Sequence, residues 1–490
     1  MKNGLRYVFI VFVLVSFGLV KAQDPFVRFY KGTPSTNTPN VYSPSLPYCL
    51  EKTIDGGFLI GGAAGEPDTP GMSKMHLRKV DSQGNQLWEV KDRVTFNDEV
   101  IDLIEYDDST IFCVAQIGSK AGLVKRNGQG ELQWAKVIVP TLGVCSQMND
   151  IIKSSDGGIV MCGGVYDCNS ASPGILTAKF DSAGNMLWLD SLILPYVFGS
   201  SALSIIENYN GLYTITGFTG YEDTLNSKAV SQFFILKYSS DGQKIGFDAY
   251  GDSITSYVGR GITQLEDSSY VVVGNCSYPP LYDDAFISVV SKEGELLYNY
   301  FDSILNNGFT RVKSEGMYAT VVGISNENKN NDTAQDIRIV KYSKLTDSIE
   351  FRKTINMLGS QSTPYDLELL ANGNVAISFY EQSSNCFSCT GLMVLDSTGC
   401  APELCNLTGV SNSTTMSLKV YPNPFNRELF IDSEMPAEYW FYNPMGVLLK
   451  KGKTNFSSAV LFEYNLPNGL YFLTIKVGDD TYTHKLIHNH

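Results

Sequence analysis

Asp55-Gly-Gly-Phe-Leu-Ile-Gly-Gly62, resumed after a loop by Leu77-Arg-Lys-Val-Asp-Ser-Gln-Gly-Asn-Gln-Leu-Trp88, is the stretch on which the fold of this chain turns. The same pattern returns as Asp156-Gly-Gly-Ile-Val-Met-Cys-Gly-Gly164 followed by Thr177-Ala-Lys-Phe-Asp-Ser-Ala-Gly-Asn-Met-Leu-Trp188. A worn copy between them keeps Ile111 to Ala115 and Gly122-Leu-Val-Lys-Arg-Asn-Gly-Gln-Gly-Glu-Leu-Gln-Trp134. Within one unit the Gly-Gly segments are apolar and nearly continuous, as strands covered on both faces are, and their glycines allow close backbone approach. Asp-Ser-x-Gly-Asn supplies a turn whose Gly can take positive φ and close a hairpin. The Trp that follows is placed to fill the space between neighbouring sheets.

Later copies keep this grammar with other words. They run through Leu212–Gly217 with Phe234–Phe247, Tyr270–Gly274 with Phe286–Tyr298, Tyr318–Gly323 with Ile337–Phe351, and Asn374–Ser378 with Gly391–Gly399, making seven units. The aromatic anchor recurs at Trp88, Trp134, Trp188, Phe247, Tyr298 and Phe351, at spacings of 46, 54, 59, 51 and 53. A period near fifty with four short strands per unit predicts blades of a β-propeller. One unit cannot cover both its faces, so the units must stack. The seventh unit stops at Gly399-Cys400 without a strand after its turn, and Phe26-Val-Arg-Phe-Tyr-Lys31 precedes the first unit unassigned. It is expected to pair into the seventh blade and remove two open edges. The fold class expected is all-β: a seven-bladed propeller followed by a small Ig-like antiparallel sandwich. The repeats resemble those of bacterial secreted propellers, a likeness of architecture that names no activity.

The C-terminal segment carries a different signature. Leu418-Lys-Val-Tyr-Pro-Asn-Pro-Phe425, Tyr442-Asn-Pro-Met-Gly-Val-Leu-Leu-Lys450, Leu466-Pro-Asn-Gly-Leu-Tyr-Phe-Leu-Thr-Ile-Lys476 and Thr483-His-Lys-Leu-Ile-His488 follow in order. This segment resembles the C-terminal (type A) sorting domain of type IX secretion cargo, the outer-membrane export route of Bacteroidetes. The resemblance implies docking on the type IX translocon, common removal of the domain, and attachment of the cargo at the cell surface. It assigns the sorting signal to Pro422, Asn423, Pro424, Gly446, Gly469, Tyr471 and Lys485, residues that also read as turns and core.

The N-terminus agrees with export. Lys2 and Arg6 precede the apolar run Tyr7–Val20, and Val20-Lys21-Ala22 offers a cleavage site before Gln23. That run is short of the about 20 residues a membrane span takes. The expected organisation is therefore a signal peptide (1–22), the propeller (23–405), a polar linker (406–417) and the sorting domain (418–490), with a secreted or cell-surface destination and no transmembrane segment.

A formal charge of −14 and a pI near 4.8 give no basic footprint for nucleic acid. Ten Cys are free to pair in an exported protein. Cys162 and Cys168 flank a predicted hairpin end, and Cys386, Cys389, Cys400 and Cys405 cluster late in the body, where disulfides are favoured over a zinc site or redox pair.

Four His, three of them (His484, His488, His490) in the last seven residues, leave only His76 for chemistry in the body. It reads as a residue at the entry to a strand rather than the base of a Ser-His-Asp set. The acids Asp98, Glu99, Asp102, Asp107, Asp108, Asp283 and Asp284 fall beside predicted turns and read as solvated loops. No calcium or nucleotide loop motif is present, so neither a catalytic residue nor a cofactor is assigned. The variable loops Gly65–Ser73, Tyr166–Pro173, Gly220–Ala229, Ser277–Asp284 and Ser325–Asp336 suit recognition of a glycan or protein. A non-catalytic binding or adhesion module is the reading taken, with a polysaccharide hydrolase or lyase using paired carboxylates as the alternative. Acids converging with an Arg in one deep pocket would speak for the enzyme, and scattered acids over a Tyr-rich face for binding.

Overall fold

Among the described residues each of the first six repeats folds into four consecutive antiparallel strands and the seventh into three, because the turns close and the apolar runs pair in order. The computed structural model describes residues 24–32, 34, 43–66, 72–139, 144–167, 174–194, 199–223, 228–278, 282–302, 307–326, 335–355, 357, 361–382, 388–405, 419–421, 425–426, 428–432, 437–443, 448–454, 458–461, 466–477 and 480–488. The chain divides into one unit ending at Val410 and another beginning at Ser411. The expected signal peptide and the 406–417 linker lie outside the described residues.

Among the described residues the first unit holds seven four-stranded sheets. Their first strands are Ser45–Lys52, Asp98–Asp107, Val144–Lys153, Gly199–Glu207, Ser256–Gln264, Gly308–Glu315 and Gln361–Leu369. The seventh sheet is completed by Phe26–Tyr30, which pairs antiparallel with Cys389–Leu395 from Phe26↔Val394 to Tyr30↔Thr390. The strand expected to latch the ring therefore does so. Successive sheets share apolar cores. Leu77 of the first sheet packs with Leu103 and Val124 of the second, and each following pair repeats the arrangement. Leu392 and Val394 of the seventh then meet Phe58 and Ile60 of the first. A circular series of shared cores is the β-propeller fold.

Two local devices explain the repeated words. In the turn after Val80, Gly84 takes φ +78° and donates to the Asp81 carbonyl (3.0 Å), while Asn85 donates to both Asp81 carboxylate oxygens (2.8 and 2.9 Å). The neighbouring sheet's aromatic then lies on that glycine. A Cβ on Gly130 would stand 2.6 Å from Trp88, one on Gly184 2.3 Å from Trp134, and one on Gly242 2.7 Å from Trp188. Phe26 occupies the same place against Gly84 (2.6 Å), which makes it the anchor of the seventh sheet.

A glycine on the second strand of five sheets has another cause. A Cβ on Gly62, Gly163, Gly217, Gly274 or Gly323 would approach a carbonyl oxygen of the first strand to 1.8–2.2 Å. Each of these glycines pairs with the residue just before a register shift in that strand. The glycine accommodates a β-bulge.

Cys49, Cys113, Cys162 and Cys276 are buried free thiols. Cys162 therefore does not pair at its hairpin end; it lies on an inner strand, in the core shared with the fourth sheet. Cys168, Cys386 and the side chain of Cys405 lie outside the described residues.

In the second unit, Lys419–Tyr421, Glu428–Asp432 and Ser458–Leu461 form one antiparallel sheet. Leu448–Thr454, Ala437–Tyr442, Gly469–Val477 and Asp480–His488 form another. Leu429 and Ile431 of the first share a core with Phe441, Tyr471 and Leu473 of the second. No described helix is long and apolar enough to cross a membrane.

Candidate functional site

All seven first strands carry a bulge at the same place, and each leaves one residue without a paired partner: Tyr48, Ile101, Asn149, Leu203, Arg260, Thr310 and Tyr365. A bulge bends its strand and re-aims the extra side chain. All seven extra residues line one cavity of about 730 Å3, within the range of small-ligand sites. The cavity is walled higher up by Glu99, Gln147, Asn275, Asp283, Asn307, Asn326 and Gln335. Asp283, Asn326 and Gln335 come from the loops Ser277–Asp284 and Ser325–Asp336, so two of the five loops expected to recognise a ligand reach it.

Internal hydrogen bonds hold this lining. Asn149 Nδ2 donates to the Ala202 carbonyl (2.6 Å), and Gln147 Nε2 to Asn149 Oδ1 (2.7 Å). Arg260 Nε donates to Asn275 Oδ1 (2.7 Å), and Thr363 Oγ1 to Gln335 Oε1 (2.7 Å). Asp283 accepts from Ser277 Oγ. The Tyr48 and Tyr365 rings lie 5.5 Å apart. Burial, reinforced by the charge of Glu99, pushes the Tyr48 hydroxyl above its ordinary range, so it stays protonated as a donor.

In the second, third and seventh sheets the residue that follows the bulge is an aspartate. Asp102 Oδ2 accepts from Ile151 N (3.2 Å), Asp150 Oδ2 from Ile205 N (2.8 Å), and Asp366 Oδ2 from Leu50 N (2.9 Å). Each carboxyl thereby ties its sheet to the next, and the last ties the seventh sheet to the first. Burial, then the neighbouring Asp150, raises the Asp102 carboxyl well above the usual range. Burial also raises Asp366, against the pull of Arg311, whose Nε lies 3.6 Å from Asp366 Oδ1.

These positions correct the reading of the acids as solvated loops. Asp98 is buried and accepts from Val94 N (2.5 Å), Thr95 N (2.6 Å) and Gly118 N (3.2 Å), so it caps a loop. Asp102 is a clamp between sheets. Glu99 and Asp283 line the cavity. Asp107 accepts from Ser109 N (2.9 Å) in an exposed turn, as expected of a turn aspartate. Among the described residues no three His, Cys, Asp or Glu side chains gather as a metal would need.

His76 is also more than an entry residue. It lies buried within the third strand, Ser73–Val80, with Nδ1 3.3 Å from Ser45 Oγ and Nε2 2.8 Å from Glu89 Oε1. The order Ser-His-Glu imitates a catalytic row, but Ser45 is wholly buried and its hydroxyl bonds Thr390 Oγ1 (2.8 Å). Glu89 also binds Arg78 (2.5 Å) and Lys91 (3.1 Å). The row joins the first sheet to the seventh.

Of the residues assigned to sorting, Pro422, Asn423, Pro424 and Gly446 lie outside the described residues. Gly469 opens the strand Gly469–Val477 opposite His488, and Lys485 pairs in register with Phe472 on the adjoining strand. Tyr471 is buried, stacks on Phe441 with centroids 5.2 Å apart, and donates to the Pro467 carbonyl (2.9 Å).

Residues 419–489 match the family described as "Secretion system C-terminal sorting domain". The chain is type IX secretion cargo. Its sorting domain directs it to the cell surface or beyond. No curated protein matches this cargo. Three of the solved structures similar to it follow. A protein of unknown function from Dyadobacter fermentans is 11% identical, with 75% of the cargo and 98% of that chain covered and a TM-score of 0.42. The β-propeller domain of the Trilobed protease from Pyrococcus furiosus is 8% identical, covering 71% and 94%, with a TM-score of 0.45. The NanB sialidase from Streptococcus pneumoniae (K499G mutant) is 11% identical, covering 76% and 71%, with a TM-score of 0.41. Similarity at this level says nothing of the cargo's ligand or chemistry.

Proposed function

We propose that this cargo is a non-catalytic binding or adhesion module that holds a glycan in the axial cavity. In this reading residues 1–22 are a signal peptide, 23–405 a seven-bladed propeller, 406–417 a linker and 418–490 an Ig-like sorting sandwich. Pro422, Asn423, Pro424, Gly446, Gly469, Tyr471 and Lys485 present the signal to the type IX translocon. Cys145, Cys389 and Cys400 act as disulfide members, which suits an oxidising destination.

The observation that carries the binding reading is the lining of the cavity. Amide side chains (Gln147, Asn149, Asn275, Asn307, Asn326, Gln335), two tyrosines and Arg260 face one space. Amides both donate and accept, as sugar hydroxyls do, and tyrosine faces offer apolar area with a polar tip. The hydrolase or lyase alternative has one observation in its favour, for Glu99 and Asp283 share this cavity with Arg260. They come from the second and fifth sheets, which are not neighbours, and each is engaged locally: Asp283 by Ser277 and Glu99 with Tyr48.

The test is a glycan panel probed with the mature chain, with products analysed for every hit. Retention of an unaltered glycan, weakened by Asn149→Ala and Tyr365→Ala, is the expected result. Cleavage of any bound glycan would transfer the site to the enzyme reading.

A further inference from the structure

Resting on the reading that the axial cavity holds a glycan, we infer that this glycan is acidic and that Arg260 binds its carboxylate. The seven bulges place seven side chains in the cavity, and Arg260 is the one charged residue among them. Its Nε is held by Asn275 Oδ1 at 2.7 Å, which orients the guanidinium plane. The two terminal amino groups are then the donors a bidentate carboxylate takes. Among the described residues no carboxylate forms an ion pair with Arg260, whereas the half-buried Arg311, which also lines the cavity, is matched by Asp366 at 3.6 Å.

The surroundings favour a bound anion. Arg260 keeps an exposed face on the cavity; desolvation by the surrounding walls, then the charge of Arg311, makes its protonated form less favourable, and Asp283 opposes this only in part. A carboxylate on the guanidinium would supply the missing counter-charge. Glu99 and Asp283, which also line the cavity, disfavour a ligand group of higher charge, such as a phosphate monoester or a cluster of sulfates. A single carboxylate on an otherwise hydroxylated molecule satisfies both conditions. Tyr48 and Tyr365 on the first and seventh sheets then offer ring faces to the sugar body.

The experiment uses the mature full-length chain and calorimetry with three probes: an oligogalacturonate, a glucuronate-terminated oligosaccharide and sialyllactose. Each is compared with its methyl ester, which removes the charge and keeps the sugar. At least one acid is expected to bind about tenfold or more tighter than its ester, the size of a charge-assisted bond. Arg260→Gln should abolish that preference, and Arg260→Lys should retain part of it, with melting temperatures showing all variants folded. Equal binding of every acid and its ester by the wild type would overturn the carboxylate and leave the glycan site standing. A preference that survives Arg260→Gln would overturn the role of Arg260. If neither acids nor esters nor any neutral glycan binds, the reading of the cavity falls, and this inference with it.

Discussion

His76 sits between Ser45 and Glu89 with almost no solvent contact, and burial pushes its imidazole down to about 4, with Arg78 and Lys91 acting in the same direction against Glu89. The unfolded chain binds this proton near 6.5. Between those values the unfolded state holds a proton that the folded state refuses, so stability falls as pH drops from about 6.5 to about 4. The loss from this one group is on the order of 3 kcal/mol. Calorimetric melting of the wild type should therefore show a declining transition over that window, and His76→Gln a flatter one. Parallel slopes would refute the assignment. Little of this was legible beforehand, because a lone His in a strand pattern says nothing of the carboxylate that the adjoining strand sets opposite it.

At the scale of the element, the joints between sheets are made by an aromatic ring lying on a neighbouring turn. Gly184 has φ +78°, and an added Cβ would meet the Trp134 ring at 2.3 Å. Gly211 has nearly the same φ (+74°) but open space around it. Gly184→Ala should cost about 2–4 kcal/mol and Gly211→Ala about 1 kcal/mol, since only the first adds overpacking to backbone strain. Equal costs, read from chemical denaturation of the two variants, would mean that the ring contact contributes nothing. The latch strand is a second element-scale prediction. Deleting residues 24–31 removes Phe26, Val27 and Tyr30 from two shared cores and opens an edge of the seventh sheet. At roughly 1.5–3 kcal/mol per buried side chain, the loss is about 5 kcal/mol or more. A large fall in melting temperature is expected, and an unchanged curve would rule the latch out.

Across the whole molecule, the sorting domain and the proposed binding cavity belong to different units. The sorting domain has its own two sheets and its own core. A chain ending at residue 418 should keep the melting transition of the first unit and lose its place outside the cell. Cell fractionation reads this directly, and surface display of the truncated chain would contradict it.

Repeats, turns and the sorting signature were legible in the linear chain because each is local. Asp-Ser-x-Gly-Asn encodes its own hairpin, the recurring aromatic announces a joint, and the segment matched at 419–489 spells an address. Gly62 and Gly163 stand in Gly-Gly pairs and each faces a bulge, but Gly217, Gly274 and Gly323 face one without such a pair, so the bulges were not marked by that pattern. The site itself was not legible. Tyr48, Asn149, Arg260 and Tyr365 share no motif and lie far apart along the chain. What unites them is an extra residue at one level of each first strand, brought to one axis when the seventh sheet closes on the first. Asp102 likewise read as a loop acid because its backbone partner, Ile151, lies on the next sheet. Local sequence determines how each sheet folds; only the closing of the ring decides which side chains meet.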